Sequence, residues 1–451
     1  MASLPLVEPP QSQAELRHVL VSELSADVVR PANADEDVID GVVPALCVRA
    51  KSADVVATVL AMCARLGAVV VPRGGGSHLH LGMPPERVDV VLELDALDEV
   101  IDYRPDDLTL AVASGARFRD VQRMLAESGQ MLALDPLVDA SSTVGGVVAT
   151  NRSGPRRAGS GTARDHIIGM EVASVDGSVT KSGGMVVKNV TGYDLSKAHI
   201  GALGTLGIIT RVNLKTFPIP AVETTLVIPV SDPASAVRLV GALTDLPFTC
   251  SALDLVQQEL LQDMNLDGCW GVLAIRVPGT EAGVTEKLVM VRGVIDIEAG
   301  GGPIELHGAA QKSFWRDADM LARLPLTDPI TTTCCMSGLS TQVASMLGTV
   351  KELGNDLGLG TVSSARALHG VVRVSVTSPS ASLVSEFITR LRTGIQNLGG
   401  SLIIESSTGE VKRAVGVWGM QPDSSALKAM TALRRSFDPG RIINRGRYVA
   451  S

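Results

Sequence analysis

The chain has 451 residues, of which 45% are apolar and 20% charged, and its formal net charge is −8. This length exceeds one ordinary core, so two or more packing units are expected. The acidic balance, without any basic block, argues against nucleic-acid binding. Aromatic residues make up only 3% of the chain, so Val, Leu, Ile and Ala must fill the cores. That composition favours sheets covered by helices, in an α/β or α+β fold.

The first predicted elements alternate between helix and strand. Apolar residues recur at helical spacing in the first of them and form continuous or alternating runs in the others. The predicted elements are a helix over 53–66, strands over 68–72, 88–94 and 108–112, and a helix over 118–125. Residues 135–207 are rich in Gly, Ser and Thr but contain apolar runs, which indicates a structured loop region and not a linker.

A strand is predicted over 208–217, and the prolines at 218 and 220 prevent its continuation. We place a domain boundary there. Beyond it, helical and strand-like segments alternate, which predicts a smaller sheet with helices on one face.

The chain shows no sign of export or of a membrane span. Its first residues lack the basic region and continuous apolar stretch of a signal peptide, and no apolar run has the length of a transmembrane helix. We therefore expect a cytoplasmic protein with no direct membrane span, whose association with the inner membrane would be peripheral and through partners. The six cysteines have no Cys-x-x-Cys spacing, so neither an iron–sulfur cluster nor any other metal site is predicted.

Three glycines follow directly from a predicted buried strand, in the run Val71-Pro-Arg-Gly-Gly-Gly-Ser-His78. Glycine allows positive φ and close backbone approach, so successive N–H groups can surround a phosphate or pyrophosphate. The run matches neither the Rossmann pattern nor the P-loop pattern. Taken alone, it could equally be a simple turn.

A second constellation makes a phosphate site more plausible than a turn. It comprises Asp135-Pro136, the run 141–151 with sequence SSTVGGVVATN, and the run 159–169. Ser142 or Thr143 can cap a short helix whose free N–H groups face an anion. Two glycines at 145 and 146 allow that helix to pack closely, and Thr150 and Asn151 offer neutral groups suited to a flavin or ribose edge.

A third glycine-rich block runs over 182–195 and is followed by the run 201–210, with sequence GALGTLGIIT. Taken together, the three blocks resemble the FAD-binding domain of the vanillyl-alcohol-oxidase-like flavoproteins, which have the PCMH-type FAD fold. The resemblance implies an α+β protein: a two-subdomain FAD-binding domain, a smaller ferredoxin-like α+β cap, and a C-terminal tail that returns to the FAD-binding domain. The implied domains are a leader over 1–38, the FAD-binding domain over 39–220, the cap over 221–425 and the tail over 426–451.

The resemblance also implies a set of FAD contacts, with FAD bound non-covalently. In covalent members a histidine near the first loop is joined to the flavin, whereas the plainer interpretation of His78 and His80 is a pair of satisfied imidazoles. The expected contacts are Arg73, Gly74, Gly75, Gly76, Ser77, His78, Pro136, Ser142, Thr143, Gly145, Gly146, Thr150, Asn151, Gly161, Asp165, Ile168, Gly207 and Ile208.

Within this family, the block 188–194 and the tail over 399–447 resemble the small FAD-binding subunit of bacterial glycolate oxidase. This resemblance implies an FAD-dependent oxidoreductase that oxidises glycolate or D-lactate to the 2-oxo acid by hydride transfer to flavin N5. It further implies two partners, a second FAD subunit and an iron–sulfur subunit. The alternatives are a self-sufficient oxidase of another alcohol and a scaffold subunit that has lost its cofactor; the intact glycine pairs argue against the scaffold.

Oxidation of a 2-hydroxy acid needs a base for the hydroxyl proton and a cation for the carboxylate. The catalytic candidates are Lys188, His369 and Glu405. A salt-bridged structural role is the simpler interpretation of Glu405, and Lys188 could instead neutralise the electron-rich edge of the flavin. The large catalytic subunits of the family carry a His-x-Gly-Asp-Gly-Asn block, where this chain has only Leu368-His-Gly-Val-Val-Arg373. The substrate site must therefore differ, or a partner performs the oxidation.

Overall fold

The computed structural model describes residues 13–136, 138–186, 192–261, 264, 266, 268–298, 302–319, 321, 330–420 and 424–448. The chain begins with a four-stranded sheet in the order β1-β2-β4-β3, in which β2, β4 and β3 are parallel. Its elements are α1 (Gln13–Leu24), β1 (Val29–Pro31), β2 (Leu46–Arg49), α2 (Ala53–Leu66), β3 (Val70–Arg73) and β4 (Val90–Glu93). Helix α2 buries its apolar side chains against this sheet, as expected for parallel strands covered by helices.

A five-stranded antiparallel sheet follows, in the order β5-β6-β10-β8-β9, and a short β7-β11 pair lies apart from it. Its strands and the short pair are β5 (Val100–Arg104), β6 (Thr109–Ala113), β7 (Gln130–Met131), β8 (Ile167–Ala173), β9 (Val179–Gly183), β10 (Ile208–Lys215) and β11 (Phe217–Pro218). The helices between them are α3 (Phe118–Glu127), α4 (Val144–Thr150), α5 (Arg157–Ser160), α6 (Ala163–His166) and α7 (Ser196–His199). These two sheets correspond to the two subdomains that the resemblance implies.

The cap contains one antiparallel sheet of eight strands, in the order β15-β12-β14-β13-β17-β18-β16-β19. Its strands are β12 (Val222–Val230), β13 (Ala252–Gln257), β14 (Gly271–Gly279), β15 (Ile304–Leu306), β16 (Ile330–Ser337), β17 (Gly360–Arg366), β18 (Val371–Ser378) and β19 (Ser401–Ser406). Its helices, with those that follow the sheet, are α8 (Pro233–Thr244), α9 (Glu281–Glu298), α10 (Gly308–Ala318), α11 (Val343–Leu357), α12 (Ala381–Asn397), α13 (Gly409–Val415) and α14 (Ser425–Phe437).

The cap sheet is a duplicated ferredoxin-like unit. Elements β12-α8-β13-β14-α9-β15 form one βαββαβ unit, and β16-α11-β17-β18-α12-β19 form a second with the same strand order. The two units join through the β13–β17 pair. The ferredoxin-like expectation is confirmed, but the expectation of a smaller sheet is wrong, because the unit is duplicated and the sheet has eight strands. The duplication leaves no short-period repeat in the sequence, so the sequence analysis did not detect it.

Successive residues of each strand point to opposite faces of the cap sheet, except at an irregularity in β19. One face carries Leu, Ile and Val and packs against α8, α9, α11 and α12. The other face carries charged side chains such as Asp254, together with apolar side chains that pack against Phe314 and Trp315. It faces the first part of the chain, because Arg276 and Glu405 bond residues there.

The C-terminal residues return to the first sheet, as expected. The N–H of Val70 donates to the carbonyl of Ile442 at 2.7 Å, and the N–H of Asn444 donates to the carbonyl of Val70 at 2.9 Å. Arg447 donates to the carbonyl oxygens of Leu79 and Leu81. Within the described ranges, no helix combines the length and apolarity that a membrane span requires.

Candidate functional site

The loop after β3 lies directly against the segment before α4. A Cβ added to Gly74 would lie 2.3 Å from Thr143 Oγ1, and one added to Gly75 would lie 1.6 Å from the carbonyl oxygen of Ser141. Gly76 has φ +79°. Only glycine therefore allows this loop to approach its neighbour so closely and still turn.

Helix α4 begins beside this loop. Thr143 caps it, with Oγ1 accepting a hydrogen bond from the N–H of Gly146 at 3.2 Å. A Cβ added to Gly145 would lie 2.6 Å from Ser114 Cβ, so the glycine lets α4 pack closely against the second sheet. The helix ends at Asn151, which has φ +48°.

The loop, α4 and the C-terminal tail enclose a cleft of about 800 Å³, counting its open mouth. Predicted contacts that line the cleft are Arg73, Gly74, Gly75, Gly76, Ser77, His78, Thr143, Gly145, Gly146, Thr150 and Ile208. The cleft is also lined by Leu203, Gly204, Asn444 and Arg447, which the sequence interpretation did not include.

The remaining predicted contacts lie outside this lining. Ser142 stabilises the glycine loop, since its hydroxyl donates a hydrogen bond to Ser77 Oγ at 3.0 Å. Pro136 lines a separate groove between the cap and the first part of the chain. Asp165 accepts from the N–H of Thr162 at 2.8 Å and so caps α6. The other four are Asn151 (exposed), Gly161 (half-buried), Ile168 (half-buried) and Gly207 (buried).

The Arg73 side chain forms ion pairs with two carboxylates. Its guanidinium lies 2.6 Å from carboxylate oxygens of both Asp37 and Glu93. Burial alone would lower the pKa of Arg73, but these two hydrogen bonds outweigh it and raise the pKa. The side chain thus fixes the start of the loop.

His78 and His80 are uncharged at neutral pH. Burial, together with the positive charge of Arg152, lowers the pKa of His78 to about 3 and that of His80 to about 4. His78 Nδ1 lies 3.0 Å from Ser77 Oγ. The cleft is therefore bordered by neutral imidazoles, close to the charge of Arg152.

Arg152 belongs to a buried layer of charged side chains. This layer lies between the cap sheet on one side and α5 with the residues just before it on the other. We call this layer the domain seam. Its arginines are Arg152, Arg156, Arg157, Arg276, Arg366 and Arg373, and its carboxylates are Asp135, Glu223, Asp254, Asp319 and Glu405.

Glu405 joins the two sides of the seam. It accepts from Arg152 Nη1 at 2.6 Å and from Arg373 Nε at 2.9 Å. It sits at an irregularity of β19, where Thr333 and Cys334 pair with Ser406 and Ile404; such bulges re-aim side chains. Burial alone would raise the pKa of Glu405, but the two arginines outweigh it and lower the pKa to about 2. This geometry favours a structural role for Glu405 over that of a base.

His369 lies at the edge of the seam, in a short 3₁₀ turn between β17 and β18. Burial, with the charges of Arg157 and Arg366, lowers its pKa. Its Nδ1 is buried without a hydrogen-bond partner among the described atoms. The third catalytic candidate, Lys188, lies outside the residues that the structure describes.

The sequence interpretation missed the seam arginines. Three of them, at positions 152, 156 and 157, lie between the runs 141–151 and 159–169 of the second glycine constellation. The partners in the cap could have been noticed as single charges between apolar residues in strand-like runs, as in Ile275-Arg276-Val277 and Val372-Arg373-Val374. The pairing of these charges could not have been predicted from the sequence, because Arg152 and Glu405 are 253 positions apart.

Comparison with known proteins supports a cofactor site in the cleft. A family model described as FAD binding domain matches residues 44–194. The chain is 25% identical over 423 residues to glycolate oxidase subunit GlcD of Bacillus subtilis, covering 90% of this chain and 89% of that protein. It is also 25% identical over 431 residues to a D-lactate dehydrogenase of Anaerostipes hadrus, again covering 90% and 89%.

The likeness to the small FAD-binding subunit of glycolate oxidase is more local. The chain is 33% identical to glycolate oxidase subunit GlcE of Escherichia coli, but over 158 residues that cover 35% of this chain and 45% of that protein. The fold matches a crystal structure of p-cresol methylhydroxylase with substrate bound, with a TM-score of 0.74, 16% identity and 98% of each chain covered. This match confirms the expected fold class.

The residues of the cleft fit FAD. Three buried polar atoms on its lining have no hydrogen-bond partner among the described residues: Ser114 Oγ, Asn444 Oδ1 and Arg447 Nη1. Buried polar groups are rarely left unpaired, so a polar ligand is expected to bind them. Together with a loop that has no room for side chains at Gly74 and Gly75, they make a site suited to a large polar cofactor. The chain therefore has the PCMH-type fold, with a match to an FAD-binding domain over residues 44–194.

Proposed function

We propose that the chain is an FAD-dependent dehydrogenase of a small 2-hydroxy acid, such as glycolate or D-lactate. One observation carries the proposal: His78 and Thr150 line the cleft, and Arg152 of the arginine-rich seam follows Thr150 by two residues and lowers the pKa of His78. Buried cations of this kind suit an anionic substrate, since water there cannot screen the charge. Relatives that align along most of the chain are named glycolate oxidase subunit GlcD and D-lactate dehydrogenase.

Backbone N–H groups of the glycine loop and of the start of α4 would hold the FAD pyrophosphate, because both segments line the cleft. The polar side chains of Ser114, Asn444 and Arg447 would bond the rest of the cofactor through the atoms that have no hydrogen-bond partner among the described residues. Bound FAD would accept the hydride of the oxidation.

His369 is the proposed base for the substrate hydroxyl. It stays neutral because burial and the nearby charges of Arg157 and Arg366 lower its pKa, so it can accept a proton at neutral pH. A His369→Gln variant should keep its FAD and lose roughly 10²- to 10⁴-fold in kcat. A variant with unchanged kcat would remove His369 from this role.

We further propose that the chain works within a complex, with an iron–sulfur protein and a second flavoprotein as partners. The 158-residue likeness to glycolate oxidase subunit GlcE supports this, as does the lack of cluster spacing among the six cysteines of the chain. Alone, the chain would need an artificial electron acceptor.

The test is a dye-linked assay of the purified FAD-loaded chain with matched substrates. Glycolate or D-lactate should reduce the dye, whereas ethylene glycol and propane-1,2-diol, which lack the carboxylate, should not. Equal rates with the diols would contradict the proposal and favour oxidation of a neutral alcohol.

A further inference from the structure

The charges of the domain seam do not balance. Among the described residues, five of its six arginines have a carboxylate oxygen within 3.0 Å: Arg152 and Arg373 with Glu405, Arg156 with Glu223, Arg276 with Asp135 and Arg366 with Asp254. Arg157 forms no ion pair with any residue that the structure describes. Among the seam residues that the structure describes, six guanidiniums face five carboxylates, which leaves one surplus positive charge.

The Arg157 side chain occupies an unfavourable place. Its Nε is buried without a hydrogen-bond partner among the described atoms. Burial, followed by the like charges of Arg366 and Arg373, lowers its pKa. An unpaired charge beside two other arginines destabilises the free protein, so its presence calls for an explanation outside folding.

The surroundings of Arg157 fit a carboxylate ligand. The guanidinium presents a planar set of donors that can bond both oxygens of a carboxylate. His369, the proposed base, is near enough for the charge of Arg157 to lower its pKa. A 2-hydroxy acid carries its hydroxyl on the carbon next to the carboxylate, so one molecule could reach both groups.

We propose that Arg157 binds the substrate carboxylate, and that the single surplus charge of the seam selects monocarboxylates over dicarboxylates. The inference rests on the proposed function and names the residue that defines its substrate class. A monoanion would bring the seam to neutrality, whereas a dicarboxylate would leave a buried negative charge without a partner.

The test uses 2-hydroxyisobutyrate, which has a carboxylate and a hydroxyl but no α-hydrogen, so FAD cannot oxidise it. Its binding to the FAD-loaded chain can be measured by calorimetry, with the neutral 2-hydroxyisobutyramide in parallel. The wild type should bind the acid and not the amide. Arg157→Gln should weaken acid binding roughly 10- to 100-fold, as the loss of a charged hydrogen-bond partner implies.

Arg238→Gln is the matched control. Arg238 is exposed on α8, and its substitution removes the same charge, so acid binding should be unchanged. Thermal unfolding separates binding from structure: Arg157→Gln should unfold at the same temperature as the wild type or higher, because it removes an unpaired charge. A clear drop in the unfolding temperature would show a structural role and overturn the inference.

Two further results would overturn it: equal binding of the acid by the wild type and Arg157→Gln, or equal turnover of D-lactate and D-2-hydroxyglutarate. Neither result would contradict the proposed function if the wild type still oxidises D-lactate. Conversely, Arg157-dependent binding of the acid without oxidation of any 2-hydroxy acid would support the carboxylate site and contradict the proposed function.

Discussion

At the scale of single residues, charge pairing and glycine geometry decide what the site can be. Glu405 lies between Arg152 and Arg373 with its pKa lowered to about 2, and Gly74 and Gly75 contact the segment before α4 without room for a Cβ. The first feature fixes the cap against the rest of the protein. The second leaves the cleft open for a cofactor.

Glu405→Gln should lower the free energy of unfolding by about 3 kcal/mol at neutral pH, because it leaves buried arginines without an anion. The folded carboxyl has a pKa of about 2 against an ordinary 4.5. Its stabilisation is therefore complete above about pH 4.5 and is lost as the pH falls towards 2. Denaturant unfolding at several pH values should show the gap to the wild type closing over that window.

Glu352→Gln, at an exposed site on α11, serves as the control for this series and should follow the wild type throughout. A gap between Glu405→Gln and the wild type that stays constant down to pH 2 would contradict the ion-pair assignment.

Gly76→Ala and Gly129→Ala form a second matched pair. Both glycines have positive φ, +79° and +67°, and an added Cβ would meet nothing closer than 3.8 Å at either. Each variant should lose roughly 1–2 kcal/mol of stability. Only Gly76 lines the cleft, so only its variant should bind FAD more weakly, by roughly tenfold or more as measured by fluorescence titration. Equal FAD affinity in the two variants would place the cofactor elsewhere.

At the scale of elements, α4 is important because its capped end forms one wall of the cleft. The helix has seven residues, too few to be stable by itself. It depends on the Thr143 cap and on close packing at Gly145.

Thr143→Ala should therefore remove about 1 kcal/mol of stability and also reduce FAD retention during dialysis. Ser380→Ala removes an equivalent cap, on α12 in the cap, and should lose similar stability while retaining FAD. If both variants retained FAD equally, the start of α4 would not be part of the cofactor site.

The strands and helices were largely predictable, whereas their pairing was not. The helix over 118–125 is found at Phe118–Glu127 and the strand over 88–94 at Val90–Glu93, because strong periodicity determines an element locally. The duplicated cap and the seam depend on contacts such as Arg152 with Glu405. No local pattern encodes such distant pairs, so Glu405 looked like a possible base and Arg157 was not noticed.

The same distinction holds at the candidate site. The glycine loop and the start of α4 were predictable because only glycine and a capping residue allow that backbone. The cleft residues Asn444 and Arg447 arrive from the opposite end of the chain. Their part in the cleft becomes visible only once the tail has folded back.

At the scale of the whole molecule, the cap and tail hold the segment that follows the glycine loop. Lys412 of α13 is fully buried and donates to the carbonyl of His80 at 2.6 Å and to Asp40 at 3.1 Å. Arg447 of the tail bonds the carbonyls of Leu79 and Leu81. Cofactor retention should therefore depend on contacts outside the FAD-binding domain.

Lys412→Met should lower the free energy of unfolding by about 3 kcal/mol and increase the rate of FAD release, because a buried anion and a carbonyl lose their partner. Lys428→Met, at an exposed position on α14, is the control. Unchanged FAD release in Lys412→Met would show that the cap does not stabilise the loop segment.

The proposed function is tested most directly by the visible spectrum of the FAD-loaded chain under anaerobic conditions, recorded before and after adding glycolate or D-lactate. We expect one of these acids to remove the oxidised-flavin absorption without any partner protein, since the cleft and the seam both belong to this chain. A flavin that stays oxidised with every 2-hydroxy acid tested, yet is bleached by dithionite, would contradict the proposed function.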